Sequence, residues 1–174
     1  MYVWNLLTIT MTNLEIIKKK VFKRDDLSRQ LNIWRMQSKK IVFTNGCFDL
    51  LHHGHIDYLS KAADMGEILV IGLNSDSSVK KLNKGSNRPI QNENDRALIL
   101  SSIQFIEAII LFEEDTPLEL IKMVRPDVLV KGGDWKESEI VGADVVKANG
   151  GTVTTIPFVE GYSTTSIEKK IKSS

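Results

Sequence analysis

Along most of this chain, short runs of apolar, β-branched residues alternate with amphipathic stretches. "KKIVFTNG" reads as a strand, "HIDYLSKAADMG" as a helix closed by Gly66, and "EILVIGLN" as a second strand. The second strand has an unbroken apolar run, which suits a sheet covered on both faces. "SDSSVKKLN" reads as a helix, "NKGSNRPIQNEN" as a turn-rich connection, "RALILSSI" as a helix and "EAIILF" as a third strand. The next helix is predicted to start at "TPLE", with Thr116 as its N-cap, Pro117 in its first position and Glu119 completing a capping box. "DVLVK" is a fourth strand, "SEIVGADVVKANGG" a helix ending at Gly150, "TVTTIP" a fifth strand and "STTSIEKKIK" a last helix. Before this series, about Leu14 to Met36 is charged and carries Leu27, Leu31 and Trp34 at helical spacing. The pattern therefore predicts a helical N-terminal segment, 1–38, and an α/β domain, 39–174. That domain is a doubly wound, five-stranded parallel sheet with helices on both faces.

In such a sheet ligands bind beyond the carboxyl ends of the strands, where the strand order reverses. The segments after the first, fourth and fifth predicted strands are "NGCFDLLHHGH", "KGGDW" and "FVEGYSTTS". All are rich in glycine, hydroxyls or polar groups, as the rim of a phosphate site would be.

Composition narrows the partners. The chain has 174 residues, long enough to bury a real core. Its 23 basic and 22 acidic residues leave no electrostatic footprint for nucleic acid or an anionic membrane, so an anionic partner must be small and locally bound. A single cysteine, Cys47, excludes an internal disulfide and suits a reducing compartment. No apolar run is long enough to span a membrane, and the start lacks the marks of a signal peptide, so a cytoplasmic protein is expected. Met11 is a second candidate start, because the ten residues before it are unlike the amphipathic segment that follows.

"FTNGCFDLLHHGH" holds all 3 histidines of the chain. Gly46 ends a strand and Gly54 sits just before a helix, so the backbone between them can turn tightly and approach a ligand. His52 and His55 lie three apart at that helix start, where free N–H groups and the macrodipole favour an anion. Hydrogen-bond donors aimed at growing negative charge are what phosphoryl or nucleotidyl transfer needs. Other readings remain open here: a metal site built from the imidazoles with Cys47 and Asp49, histidines with no role, or a Cys47 thiol with a histidine partner.

His52-His53-Gly54-His55 resembles the HxGH motif of the nucleotidyltransferase superfamily, and Ser163 to Ser166 its C-terminal ISSTS-type motif. With "NRP", "DVLVKGGDW", "IVGADVV" and "GGTVTTIPFVEGYSTTSI", the resemblance extends from about Lys39 to Ile171 and is to the heptose 1-phosphate adenylyltransferase branch. It implies a Rossmann-like domain holding ATP and Mg²⁺ and transferring AMP to a sugar 1-phosphate, D-glycero-β-D-manno-heptose 1-phosphate. The products are ADP-heptose, for lipopolysaccharide core synthesis, and pyrophosphate. It implies catalytic roles for His52, His55 and Lys84. Thr44, Asn45, Gly46, Phe48, Asp49 and Gly54 would form the α-phosphate loop, and Arg88 would approach the phosphates. Lys131, Gly133 and Asp134 would meet base and ribose, while Ser163, Thr164, Thr165 and Ser166 would hold the β- and γ-phosphates. No protein metal ligand is implied. A homodimer is expected, with the sugar 1-phosphate made by a separate kinase. The alternatives are a cytidylyltransferase acting on glycerol 3-phosphate or a related polyol phosphate, and a regulatory module that binds nucleotide without turnover.

Overall fold

The computed structural model describes residues 11–82 and 88–173. Its strands are β1 (Val21–Phe22), β2 (Ile41–Gly46), β3 (Ile68–Asn74), β4 (Ala108–Phe112), β5 (Val128–Gly132) and β6 (Thr152–Ile156). They form one parallel sheet in the order β1-β4-β3-β2-β5-β6. The helices are α1 (Asn13–Lys18), α2 (Arg24–Met36), α3 (His53–Ala63), α4 (Asp76–Lys81), α5 (Glu93–Ser101), α6 (Leu118–Val124), α7 (Ala143–Ala148) and α8 (Thr164–Lys172).

Successive residues of a strand face opposite ways, and in β2 this sorts Ile41 and Phe43 into one core and Val42 into another. The first core packs under Leu27 and Leu31 of α2, Leu120 and Val124 of α6 and Val146 of α7. The second packs under Leu59 and Ala62 of α3 and Ala97 and Leu100 of α5. Every residue of β3 is buried, which is why its sequence shows no polar alternation. The chain runs from β2 to β3 and β4 on one side, then crosses to β5 and β6 on the other. The order therefore reverses between β2 and β5, and the two strand ends there define the place where a ligand is expected.

The structure departs from the sequence pattern in three places. The sheet has six strands, because Val21 and Phe22 pair with Ile109 and Ile110 at its edge and split the N-terminal helical segment. Two residues are too few to show a period. Helix α6 begins at Leu118 with Pro117 in the cap position and no side-chain cap bond, so the capping box on Thr116 does not form. The region after β5 is a 3₁₀ turn (Glu137–Glu139) followed by the short α7, because the extended backbone of Ile140 ends the turn and Gly142, at φ 82°, sits in the cap position where α7 starts. Among the described residues no helix is long and apolar enough to cross a membrane.

Leu31 of α2 is completely buried against the sheet. Leu31→Ala should lower unfolding free energy by about 2–5 kcal/mol, as buried leucine truncations do. Urea unfolding followed by circular dichroism measures it, and a loss under about 1 kcal/mol would mean that α2 does not share the core.

Candidate active site

The loop after β2 turns sharply before α3, and its geometry follows from side chains more than from glycine freedom. The left-handed residue is Phe48, at φ 45°, rather than either glycine. Gly46 and Gly54 are needed for room: a Cβ on Gly46 would meet the Phe48 ring at 2.9 Å, and one on Gly54 would meet the His52 ring at 3.2 Å. The space these glycines leave lets the aromatic rings close over the strand end.

His52 occupies the N-cap position of α3 and His55 lies in the first turn. Their rings stack with centroids 3.8 Å apart and an interplanar angle of 24°. Phe48 meets His55 edge-on at 5.4 Å. Both Nδ1 atoms are buried without a hydrogen-bond partner. Burial, and then the neighbouring His52, push the His55 pKa down to about 4; the Leu50 backbone pulls weakly the other way without bonding to Nδ1. Burial also lowers that of His52. Two neutral imidazoles thus stand at a helix N-terminus. His53 leaves in another direction, its ring 4.8 Å from that of Tyr162.

His55 lines a cleft of about 850 Å³ that lies over the strand ends, a size suited to a small ligand. Asn45, Gly46, Phe48 and Asp49 line it from the β2 loop, and Lys131 from the end of β5. Lys131 donates to Asn45 Oδ1 at 3.2 Å, so the two strands at the order reversal are joined by a side-chain bond at their carboxyl ends. The Lys131 ammonium also sits 5.9 Å from the Trp135 ring centre, and the Trp135 indole N–H is held by the Gly132 carbonyl. Phe158 covers the backbone of Gly132 and Gly133, and a Cβ on Gly133, at φ 100°, would meet its ring at 2.9 Å.

From the far wall, Thr164 and Thr165 face the cleft at the start of α8. Ser163 and Ser166 do not line it; each hydroxyl accepts from the other's backbone N–H in a capping box that fixes the helix start. Asp49 joins this wall to the β2 loop. It is buried and accepts from the N–H groups of Ile90 and Gln91 and from Arg88 at 2.8 Å, while Arg88 also reaches Glu168 of α8 at 3.0 Å. Burial pushes the Asp49 pKa up, but the two backbone donors and Arg88 together hold it below the ordinary carboxylate value. Arg88 lines the cleft from this ion-paired position.

Several expected residues sit elsewhere. Thr44 is fully buried and shares a hydrogen bond with the Tyr58 hydroxyl, which also donates to the Val130 carbonyl, so it braces α3 against β2 and β5. His52 lies behind His55, Gly54 is buried, and Asp134 is exposed. Lys84 lies outside the described residues. Conversely, Asn74, Asp115 and Thr116 line the cleft from the ends of β3 and β4. The rule that sites follow strand ends pointed to those two loops as well, but their sequences lack glycine, and the one signal there, the capping box assigned to Thr116, spoke of a helix start rather than a ligand. Among the described residues no group of three or more His, Cys, Asp or Glu side chains could hold a metal ion, so the metal reading of the histidine segment has no site there.

With this geometry in place, the cytidylyltransferase-like family matches residues 43–170. The bifunctional protein HldE of Wolinella succinogenes is 48% identical over 157 residues, covering 90% of this chain and 32% of that protein. HldE of Campylobacter concisus is 57% identical over 134 residues, covering 77% and 27%. The chain thus spans about a third of the length of these relatives. Among solved structures, the lipopolysaccharide core biosynthesis protein of Thermoplasma volcanium superposes with a TM-score of 0.57 at 28% identity, covering 72% of this chain and 99% of that one. Pantoate-beta-alanine ligase of Francisella tularensis shares the fold, with a TM-score of 0.58 at 15% identity over 87% of this chain and 76% of its own.

Because the His55 pKa is depressed, its proton is bound more readily by the unfolded chain than by the folded one. Stability should therefore fall as pH drops from about 6.5 toward 4 and level off in this contribution below that. Nuclear magnetic resonance of the ring protons checks the cause: His55 should titrate near 4, and a midpoint near 6.5 would show that its ring is not buried as described.

Proposed function

We propose, for a chain that belongs to the cytidylyltransferase-like family, the transfer of AMP from ATP to a sugar 1-phosphate, D-glycero-β-D-manno-heptose 1-phosphate, giving ADP-heptose and pyrophosphate. The observation that carries the reading is the pair of stacked, neutral histidines at the α3 N-terminus, opposite the start of α8 across one cleft. The similarity to bifunctional HldE proteins and to a lipopolysaccharide core biosynthesis protein supports the choice of acceptor.

A phosphate oxygen of the acceptor attacks the α-phosphorus in line. The bond from that phosphorus to the α–β bridging oxygen breaks, and pyrophosphate leaves with the electron pair. No bond forms between enzyme and nucleotide. Charge grows on the oxygens of the α-phosphate and on the leaving group, and the protein answers it with preorganised donors. His55, with the His52 ring stacked behind it, supplies a ring N–H, and the first turns of α3 and α8 supply backbone N–H groups. Lys131, held by Asn45, carries positive charge at the β5 end. Thr164 and Thr165 offer hydroxyls to the distal phosphates.

A magnesium ion fits this cleft as one brought by the triphosphate, since Mg²⁺ is usually held by substrate phosphates with one or two carboxylates. Of the cleft carboxylates, Asp49 is buried and committed to Arg88 and backbone donors, whereas Asp115 on the β4 side is exposed and holds only the surface partner Lys81 at 2.9 Å, which an ion could displace. When bound, the ion neutralises phosphate charge. The acceptor is itself the product of a sugar kinase, and we place both steps in the cytoplasm, with a homodimer as the working unit.

Pyrophosphate should appear only when nucleotide, Mg²⁺ and a phosphorylated acceptor are all present. Exchange of labelled pyrophosphate into ATP without acceptor would contradict direct transfer. His55→Ala should lower kcat on the order of 10²–10³-fold while calorimetric ATP binding changes much less, and His53→Ala should cost far less than that. A His55→Ala enzyme at full speed would remove this segment from catalysis. Finally, kcat/KM for ATP should exceed that for CTP; equality or a CTP preference, with turnover on glycerol 3-phosphate, would favour a polyol-phosphate cytidylyltransferase.

A further inference from the structure

Arg96 of α5 is not part of the cleft, yet it is the largest fully buried side chain among the described residues. A guanidinium on the apolar face of a helix, beside Ala97 and Leu100, is costly unless its N–H groups are used. They are used on three separate segments. Nη1 donates to the Cys47 carbonyl at 2.6 Å, Nε to the Gln91 carbonyl at 3.0 Å, and Nη2 to the Asp76 carboxylate at 2.7 Å. A planar fork can satisfy these acceptors together, whereas an ammonium is a compact point charge.

The residue that follows Cys47 is Phe48, whose left-handed backbone is unfavourable for a bulky side chain. Such a conformation persists only where its surroundings over-determine it. Here both neighbours are pinned: Cys47 through its carbonyl to Arg96, and Asp49 through its carboxylate to the N–H groups of Ile90 and Gln91. Gln91 serves both sides, giving its N–H to Asp49 and its carbonyl to Arg96. The Phe48 ring held in this way is the one that meets His55 edge-on.

We propose that Arg96 is a positioning residue for the transfer step: by gripping the Cys47 carbonyl it holds Phe48 in its left-handed conformation, and Phe48 sets the place of the His55 ring in the cleft. Arg96 touches no substrate. The assignment rests on the reading of the cleft as a nucleotidyl-transfer site.

The test is a double-mutant cycle on Arg96→Lys and Phe48→Leu in the full chain, with ATP, Mg²⁺ and the heptose 1-phosphate. Arg96→Lys should lower kcat about 10–100-fold with the ATP KM within about threefold. In the Phe48→Leu background the same change should add little, because both act through one ring. The His55 ring resonances should shift in Arg96→Lys while those of His53 stay in place. A wild-type kcat in Arg96→Lys, losses that multiply in the double mutant, or an unmoved His55 resonance would each overturn the proposal. If Arg96→Lys does not fold, Phe48→Leu decides: a kcat loss at near-constant KM supports the chain of contacts, and an unchanged kcat removes the group through which Arg96 would act. Should the wild type release no pyrophosphate from ATP with any acceptor, the proposed reaction fails, and the resonance comparison still judges the clamp.

Discussion

Asp49 carries a charge where water barely reaches, and the architecture of the cleft hangs on how that charge is satisfied. Two backbone N–H groups and Arg88 surround it, and they come from a segment about forty positions further along the chain. Arg88 then passes the connection to Glu168, on the last helix. One carboxylate thereby draws together the loop after β2, the residues leading into α5, and the α8 helix that faces α3 across the cleft. Leaving such a group unpaired would cost several kcal/mol, so the three segments hold one another by mutual need.

A parallel sheet makes this kind of bonding necessary. Its strands deliver their carboxyl ends to one edge, but the loops that leave them diverge and share no backbone ladder. Side chains must do the joining. Asn45 and Lys131 connect β2 with β5, Tyr58 and Thr44 brace α3 over the same two strands, and Arg96 ties the loops after β2 and β3. Polar residues buried beneath a ligand cleft are the expected result, and these joining residues have their partners in hand, unlike the buried Nδ1 atoms of His52 and His55.

Apolar runs made the strands readable and helical period the helices, because β2 to β5 are largely buried and α3 and α5 each bury an apolar face. Only Ile156 of β6 is buried, and that strand was legible from its β-branched residues. Strand β1 escaped, since Val21 and Phe22 between two charged helices carry no period and gain their structure only by pairing with β4. The α6 cap also failed as read, with Pro117 in the place assigned to Thr116. Within the site, His52, His55 and the Ser163–Ser166 segment were legible as motifs at element starts. What sequence concealed was division of labour inside each motif: Ser163 and Ser166 cap the helix while Thr164 and Thr165 face the cleft, and Thr44 turns inward to Tyr58. A motif reports which residues gather in space, but the direction of each side chain depends on what packs beside it. Arg96 gave a faint signal, a charge on an apolar helical face, and its acceptors are backbone carbonyls that no residue pattern encodes.

The stacked imidazoles have a thermodynamic corollary. With ring centroids 3.8 Å apart, the two imidazoles cannot both carry a proton cheaply, so charge on one opposes charge on the other. Any polyanion that settles against them favours their charged forms, and in the pH window between their free and bound pKa values it draws protons from solution as it binds. By linkage, its affinity weakens as pH rises through that window, and the heat of binding depends on the ionisation enthalpy of the buffer that supplies the proton. For a phosphate bound against this pair, the hydrogen ion would be a co-ligand.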